Sequence, residues 1–194
     1  MVRRIVNAIY VTSETLKIEY PQIRATVPRE VIFVTTQELE DLFPELTDSH
    51  HKEDAFHRMH KDKAVFLMGI GGKLRSGRPH DGRAPDYDDW TLNGDLLFWN
   101  ETLDRSFELS SMGIRVDPSQ LDLQLRLAGK DERRQLPFHR ALLNGELPLT
   151  IGGGIGQSRL CMLLIGCCHI GEVQSGIWDQ ATLDACHEAG VMLL

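Results

Sequence analysis

The chain has 194 residues, 42% hydrophobic and 25% charged, with a net charge of −7. That length suits one domain with a buried core, and the composition is ordinary for a globular protein. The acidic balance argues against binding nucleic acid through a general field, since the longest basic cluster, Arg133-Arg134, sits beside Asp131 and Glu132. No apolar run approaches the ~20 residues a membrane span needs, and the basic start Met1–Ile5 lacks the apolar stretch of a signal peptide. The four cysteines, Cys161, Cys167, Cys168 and Cys186, form no C-x-x-C pair. A zinc knuckle is therefore disfavoured, and reduced thiols in a cytoplasmic protein fit best.

In chain order, Ile5, Ile9 and Leu16 share a face and predict a helix over 3–18, closed by Pro21. Val31–Val34 reads as a strand. Thr35 and Glu38 have the spacing of a capping box for a helix through Leu42, which Pro44 ends. Residues 50–62 are polar with a narrow stripe at Ala55 and Met59, which predicts a surface helix. Ala64–Met68 is continuously apolar, the mark of a strand covered on both faces. Residues 73–93, rich in Gly, Pro, Arg and Asp, read as loop, with Asn93-Gly94 as a turn before strands at Asp95–Asn100 and Ser106–Ser110. Asp117 and Pro118 open a helix that ends near Gly129. A second helix covers about 131–144, broken at Pro137. Leu149–Ile151 reads as a strand that leads through a glycine run into a helix, Arg159–Ile165, and a last helix lies near 180–188. Hairpin strands with peripheral helices predict an α+β fold built on an antiparallel sheet.

Three segments could carry chemistry. In Gly152-Gly153-Gly154-Ile155-Gly156, bare backbone ahead of a helix start invites an anion, and Arg159 in the first turn can fork onto phosphate. The established phosphate motifs are absent, because Gln157 breaks G-x-G-x-x-G and there is no G-x-x-x-x-G-K-[ST]. Glycines packed for structure alone are the competing reading. In Phe107–Arg115, alternation would point Glu108, Ser110 and Met112 one way, placing a carboxylate where it can hold Mg²⁺; a solvated edge strand is the alternative. Asp86, Asp88, Asp89 and Asp95 crowd ten positions and can meet ammonium groups or metal, or be a solvated loop. His50, His51, His57 and His60 cluster without a third ligand of metal-site geometry and read as a solvated helix face.

Taken in order, Ala64–Leu67 with Gly69–Leu74, Arg83–Trp90, Leu92–Asp95, Phe107–Val116, Thr150–Leu164 and His169–Gly171 resemble the ammonia-dependent asparagine synthetases, the aspartate–ammonia ligases. The likeness covers nearly the whole chain, is weakest before residue 30, and corresponds to the C-terminal part of that family. It implies that residues 1–194 form a single, partial catalytic domain. The implied fold is that of a class II aminoacyl-tRNA synthetase catalytic domain, an antiparallel sheet flanked by helices, truncated at its N-terminal side. It also implies the reaction: ATP adenylates the β-carboxylate of L-aspartate, and ammonia displaces AMP to give L-asparagine.

By the same resemblance, Arg159 and Glu108 are the catalytic pair. Arg159 lies against ATP phosphate, and Glu108 holds Mg²⁺ and ATP. Ser111, Asp95, Gly154 and Gly156 complete the ATP site, while Arg115 faces the substrate's side-chain carboxylate and Asp88 its α-ammonium group. The implied partners are L-aspartate, ammonia and ATP, together with a homodimer mate or a chain supplying the family's N-terminal half, and no nucleic acid or membrane. Two departures stand out: the family's first two class II motifs lie outside this match, and only Thr91 separates Trp90 from Leu92. The alternative function is a non-catalytic paralogue or split subunit that binds nucleotide or a partner chain.

Overall fold

The computed structural model describes residues 1–194. Helix α1 (Val2–Glu19) is followed by strand β1 (Val31–Thr35), α2 (Thr36–Leu42) and α3 (Ser49–Arg58). Then come β2 (Ala64–Met68), β3 (Asp88–Asn100), β4 (Arg105–Arg115) and α4 (Pro118–Leu127). A 3-10 turn at Asp131–Gln135 precedes α5 (Pro137–Leu143), β5 (Ile151–Ile155), α6 (Gln157–Ile165) and α7 (Gln180–Glu188). The strands form one sheet in sequence order. β2, β3, β4 and β5 run antiparallel to their neighbours, whereas β1 lies parallel to β2. The expected antiparallel sheet thus carries one parallel edge: the α2–α3 excursion is long enough to carry the chain back over the sheet, as a parallel pair requires.

The sheet is covered on both faces. Phe66, Leu96, Phe98, Leu109 and Met112 pack with Val6 and Ile9 of α1 and Leu163 and Leu164 of α6. Val65 and Leu67 of β2, Leu97 of β3 and Val34 of β1 pack on the other side with Leu39 of α2 and Phe56 of α3. β2 thus feeds both layers through alternate residues, which explains its unbroken apolar run. A third cluster, Val116, Leu121, Leu125 and Leu142, joins α4 to α5 beside the sheet.

Local signals account for most helix limits. The Thr35–Glu38 capping box forms, Asp117 accepts from the Gln120 amide with Pro118 at the first helical position, and Gly129 takes a positive φ of 62°. Four expectations are corrected. Asn93-Gly94 is not a turn but lies mid-strand in β3, which starts at Asp88 inside the presumed loop. The Asn93 amide instead exchanges two 2.8 Å hydrogen bonds with the Ile70 backbone, and a Cβ on Gly94 would strike Leu67 O and Phe66 Cζ. The α3 stripe is also displaced: Phe56 and His57 are buried, while Met59 is exposed. His57 is no solvated residue, because its ring bonds Ser106 Oγ at 2.9 Å and Lys63 O at 3.0 Å; burial lowers its pKa to about 4. Finally, the glycine run is itself strand β5 rather than a loop after it. All four cysteines are free, and no helix is long and apolar enough to cross a membrane.

Candidate active site

β4 does not alternate cleanly. Leu97 pairs with Glu108 but Leu96 pairs with Ser110, leaving Leu109 as an extra residue in a bulge. The bulge sends Leu109 and Met112 into the core with α1 and α6. Glu108 and Ser111, three positions apart, then share the opposite face and line one open hollow of about 600 Å³. The expected Glu108–Ser110–Met112 face is therefore corrected: Met112 is core, and the buried Ser110 hydroxyl finds no partner. Strict alternation cannot reveal a bulge that the partner strand enforces.

The same hollow takes Tyr87 and Arg115 at one end and Gly154, Gly156 and Arg159 at the other, with Gln157, Ser158 and Gln174 on its wall. Arg159 is placed by α6, whose first turn follows directly on β5. Its Nη1 donates to Glu108 O at 2.9 Å and stands 3.4 Å from Glu108 Oε2. A smaller hollow of about 320 Å³ adjoins it, sharing Glu108 and Arg159 and bounded by His50, Glu53 and Arg105.

β5 carries glycine because neighbouring side chains lie on its backbone. Gly152 pairs with Gly113, and a Cβ on Gly152 would sit 2.6 Å from Arg115 Cζ. A Cβ on Gly154 would meet nothing within 4 Å. The first glycine makes room for an arginine, and the second leaves backbone bare toward the hollow.

None of the four acids between Asp86 and Asp95 is a free surface charge. Asp86 Oδ2 accepts from Arg133 Nη1 at 2.8 Å and from His139 Nε2 at 2.9 Å. Burial works to raise its pKa, but these two donors outweigh it and hold the carboxyl below its usual range. Asp88 accepts from Arg115, whose guanidinium also donates to Tyr87 Oη at 3.1 Å and lies 3.9 Å from the Tyr87 ring centre. Asp89 caps the Thr91 amide and hydroxyl at 2.8 Å. Asp95 pairs with Arg83 and opposes Ser111 across the ladder. Burial raises the Asp95 pKa to about 6, aided by the nearby charges of Glu108 and Glu53 and opposed by Arg83. No group of three or more His, Cys, Asp or Glu converges as a metal cage.

The structure thus brings Glu108, Ser111, Arg115, Gly154, Gly156 and Arg159 to one hollow, with Asp88 behind Arg115. Asp95 does not line it; its carboxylate is turned to Arg83 behind Ser111, and its Oδ1 is buried without a partner. Sequence reasoning missed Tyr87, Arg83 and Gln174. Tyr87 lies within the acidic run and Arg83 just before it, and that proximity was the available signal; Gln174 left none.

A five-stranded sheet of this order flanked by helices has the fold of a class II aminoacyl-tRNA synthetase catalytic domain. Solved structures match it in fold. An Entamoeba histolytica asparaginyl-tRNA synthetase in complex with asparaginyl-adenylate aligns at a TM-score of 0.57 and 18% identity, over 88% of this chain and 40% of that one. Asparaginyl-tRNA synthetase from Pyrococcus horikoshii aligns at 0.56 and 16%, over 88% and 43%. The family model for aspartate–ammonia ligase matches residues 1–190, and the chain belongs to that family. Aspartate–ammonia ligase of Clostridium tetani is 56% identical over 194 residues, all of this chain and 56% of its own length. That of Lactobacillus johnsonii is 55% identical over 194 residues, all of this chain and 57% of its length. The chain therefore spans a little over half the length of these relatives.

Proposed function

We propose that this chain supplies the nucleotide- and substrate-binding part of an aspartate–ammonia ligase, which converts L-aspartate, ammonia and ATP to L-asparagine, AMP and pyrophosphate. The observation that carries it is one hollow with the carboxylate–guanidinium pair Glu108 and Arg159 at one end and, at the other, Arg115, whose guanidinium is paired with Asp88 behind it.

The donor set suits a Mg-bound triphosphate. The hollow's volume falls within the ~300–1,000 Å³ usual for ligand sites, and Gly154 leaves its floor open. Mg²⁺ keeps several waters and needs only one or two carboxylates beside phosphate oxygens, so Glu108 suffices without a cage. When bound, the ion neutralises phosphate charge. Arg159 holds a phosphate through its planar fork and stabilises the crowded phosphorus centre as an aspartate β-carboxylate oxygen bonds to the α-phosphorus and pyrophosphate leaves. Ammonia nitrogen then bonds to the acyl carbon, the bond to AMP oxygen breaks, and a proton leaves the nitrogen. Ser111, Gly154 and Gly156 border the nucleotide, with Asp95 supporting Ser111 from behind.

Aspartate meets the other pair. Its β-carboxylate matches the fork of Arg115, and its α-ammonium matches Asp88. The two side chains bind each other, so a zwitterion can replace both halves of the pair and leave no buried charge unmatched. Asparagine lacks the charge Arg115 recognises.

The test is calorimetric titration with ATP–Mg²⁺ and L-aspartate, followed by asparagine assay with the remaining half of the relatives' length supplied. Binding of both ligands and asparagine formation that depends on Arg159 are expected. Turnover unchanged in Arg159→Ala would refute the assignment.

A further inference from the structure

The bend from Pro85 to Trp90, which carries Tyr87 and Asp88 to Arg115, is held by one side chain from outside the hollow. Gln124, on α4 and 2% exposed, donates from Nε2 to Pro85 O at 2.9 Å and to Asp88 O at 3.1 Å. Its Oε1 accepts from the Trp90 amide at 2.9 Å. A single amide therefore grips three backbone groups on both sides of Asp88. Leu121 and Leu125, its neighbours on α4, are fully buried against Val116 and Leu142, so the helix that presents it is anchored. The grip has a second arm, since Arg133 and His139 hold Asp86 from the 3-10 turn and α5. Asp88 in turn lies over Gly113, where a Cβ would approach its Cγ to 2.9 Å, so the carboxylate has little freedom of its own.

We infer that Gln124 is a positioning residue for the amino-acid substrate: by clamping the Pro85–Trp90 bend it sets Asp88 and Tyr87 against Arg115 at the spacing an aspartate zwitterion needs. This rests on the reading of Asp88 and Arg115 as the aspartate-binding pair. Gln124 touches no part of the hollow itself. A side chain acting only through fold stability would move every ligand's affinity together; one that positions this bend moves aspartate alone, because Glu108, Gly154 and Arg159 sit on β4, β5 and α6.

Two substitutions in the full chain test this. Gln124→Met keeps the volume and removes all three bonds, while Gln124→Glu keeps the acceptor for the Trp90 amide and removes both donors. Titrations with L-aspartate and separately with ATP–Mg²⁺ are read beside hydrogen exchange at the Trp90 amide. Both variants are expected to weaken aspartate at least tenfold and leave ATP within twofold. Exchange at Trp90 should quicken in Gln124→Met and not in Gln124→Glu. If Gln124→Met fails to fold, Gln124→Glu decides alone. Aspartate affinity within twofold of the parent, or an equal loss for both ligands, overturns the proposal. Arg115→Ala separates the two levels of argument: unaltered aspartate binding there sinks the aspartate reading itself, which no Gln124 variant can do.

Discussion

Gly152→Ala tests the proposed aspartate end of the hollow without replacing a charged group. The added methyl would lie 2.6 Å from Arg115 Cζ and 2.7 Å from Nε, where unstrained contact needs about 3.5 Å or more. Nη2 lies closer still, so the guanidinium must retreat by roughly 1.5 Å. It can do so, being the free end of a long side chain, so the cost to folding should sit at the low end of overpacking, about 1 kcal/mol. The retreat breaks its alignment with Asp88 and Tyr87. Hydrogen bonds to charged groups are worth roughly 1.5–3 kcal/mol, and each 1.4 kcal/mol is tenfold in affinity. L-Aspartate should therefore bind some ten- to hundredfold more weakly, with ATP–Mg²⁺ unaffected and the urea midpoint little changed. Calorimetric titration and urea unfolding read the three quantities. Aspartate affinity unmoved by the methyl would mean Arg115 does not read the substrate; a parallel fall in ATP affinity would mean the strand, not the arginine, had shifted.

The other glycines and charges give sharper contrasts. Gly154→Ala meets no atom within 4 Å, so the fold should keep its stability while the methyl enters the hollow and weakens ATP rather than aspartate, by titration. Gly94→Ala must push against Leu67 O and the Phe66 ring, which cannot yield cheaply, and should lower stability by ~1–3 kcal/mol or more in urea unfolding. Arg159→Ala should reduce asparagine formation by the complete assembly a hundredfold or more, the usual effect of losing one preorganised donor at ~3 kcal/mol. Two buried groups oppose each other in acid. His57, lowered to about 4, is neutral in the fold while the unfolded chain takes up a proton below about pH 6.5, so its contribution is lost as pH falls from 6.5 to 4. Asp95, raised to about 6, holds a proton in the fold that the unfolded chain has released, so its contribution declines as pH rises from about 4 to 6. Asp95→Asn should remove the second slope and make stability fall more steeply on acidification from pH 6 to 4 than in the parent; urea unfolding at the two pH values checks this.

Much of this protein could be read from its chain. Thr35 and Glu38, Asp117 and Pro118, and Pro137 mark helix limits through bonds made within a few residues, so local sequence suffices to determine them. The unbroken run Ala64–Met68 announced burial on both faces, and the ordered motifs from Gly69 to Gly171 pointed to the family. What only tertiary structure decided was the side to which residues turn. The bulge at Leu109 exchanged Ser110 for Ser111 beside Glu108, Asn93-Gly94 became strand because an amide and a bare Cα were needed against Ile70 and Leu67, and the glycine run became strand β5, with Gly152 giving way to Arg115. The acidic run, which local reading left as solvated charge or as ligands for ammonium groups or metal, became four separately partnered carboxylates through Arg83, Arg115, Arg133, His139 and Thr91. Caps and apolar periodicity act between neighbours along the chain, whereas strand register and charge pairing act between residues up to about fifty positions apart, and only packing brings those together.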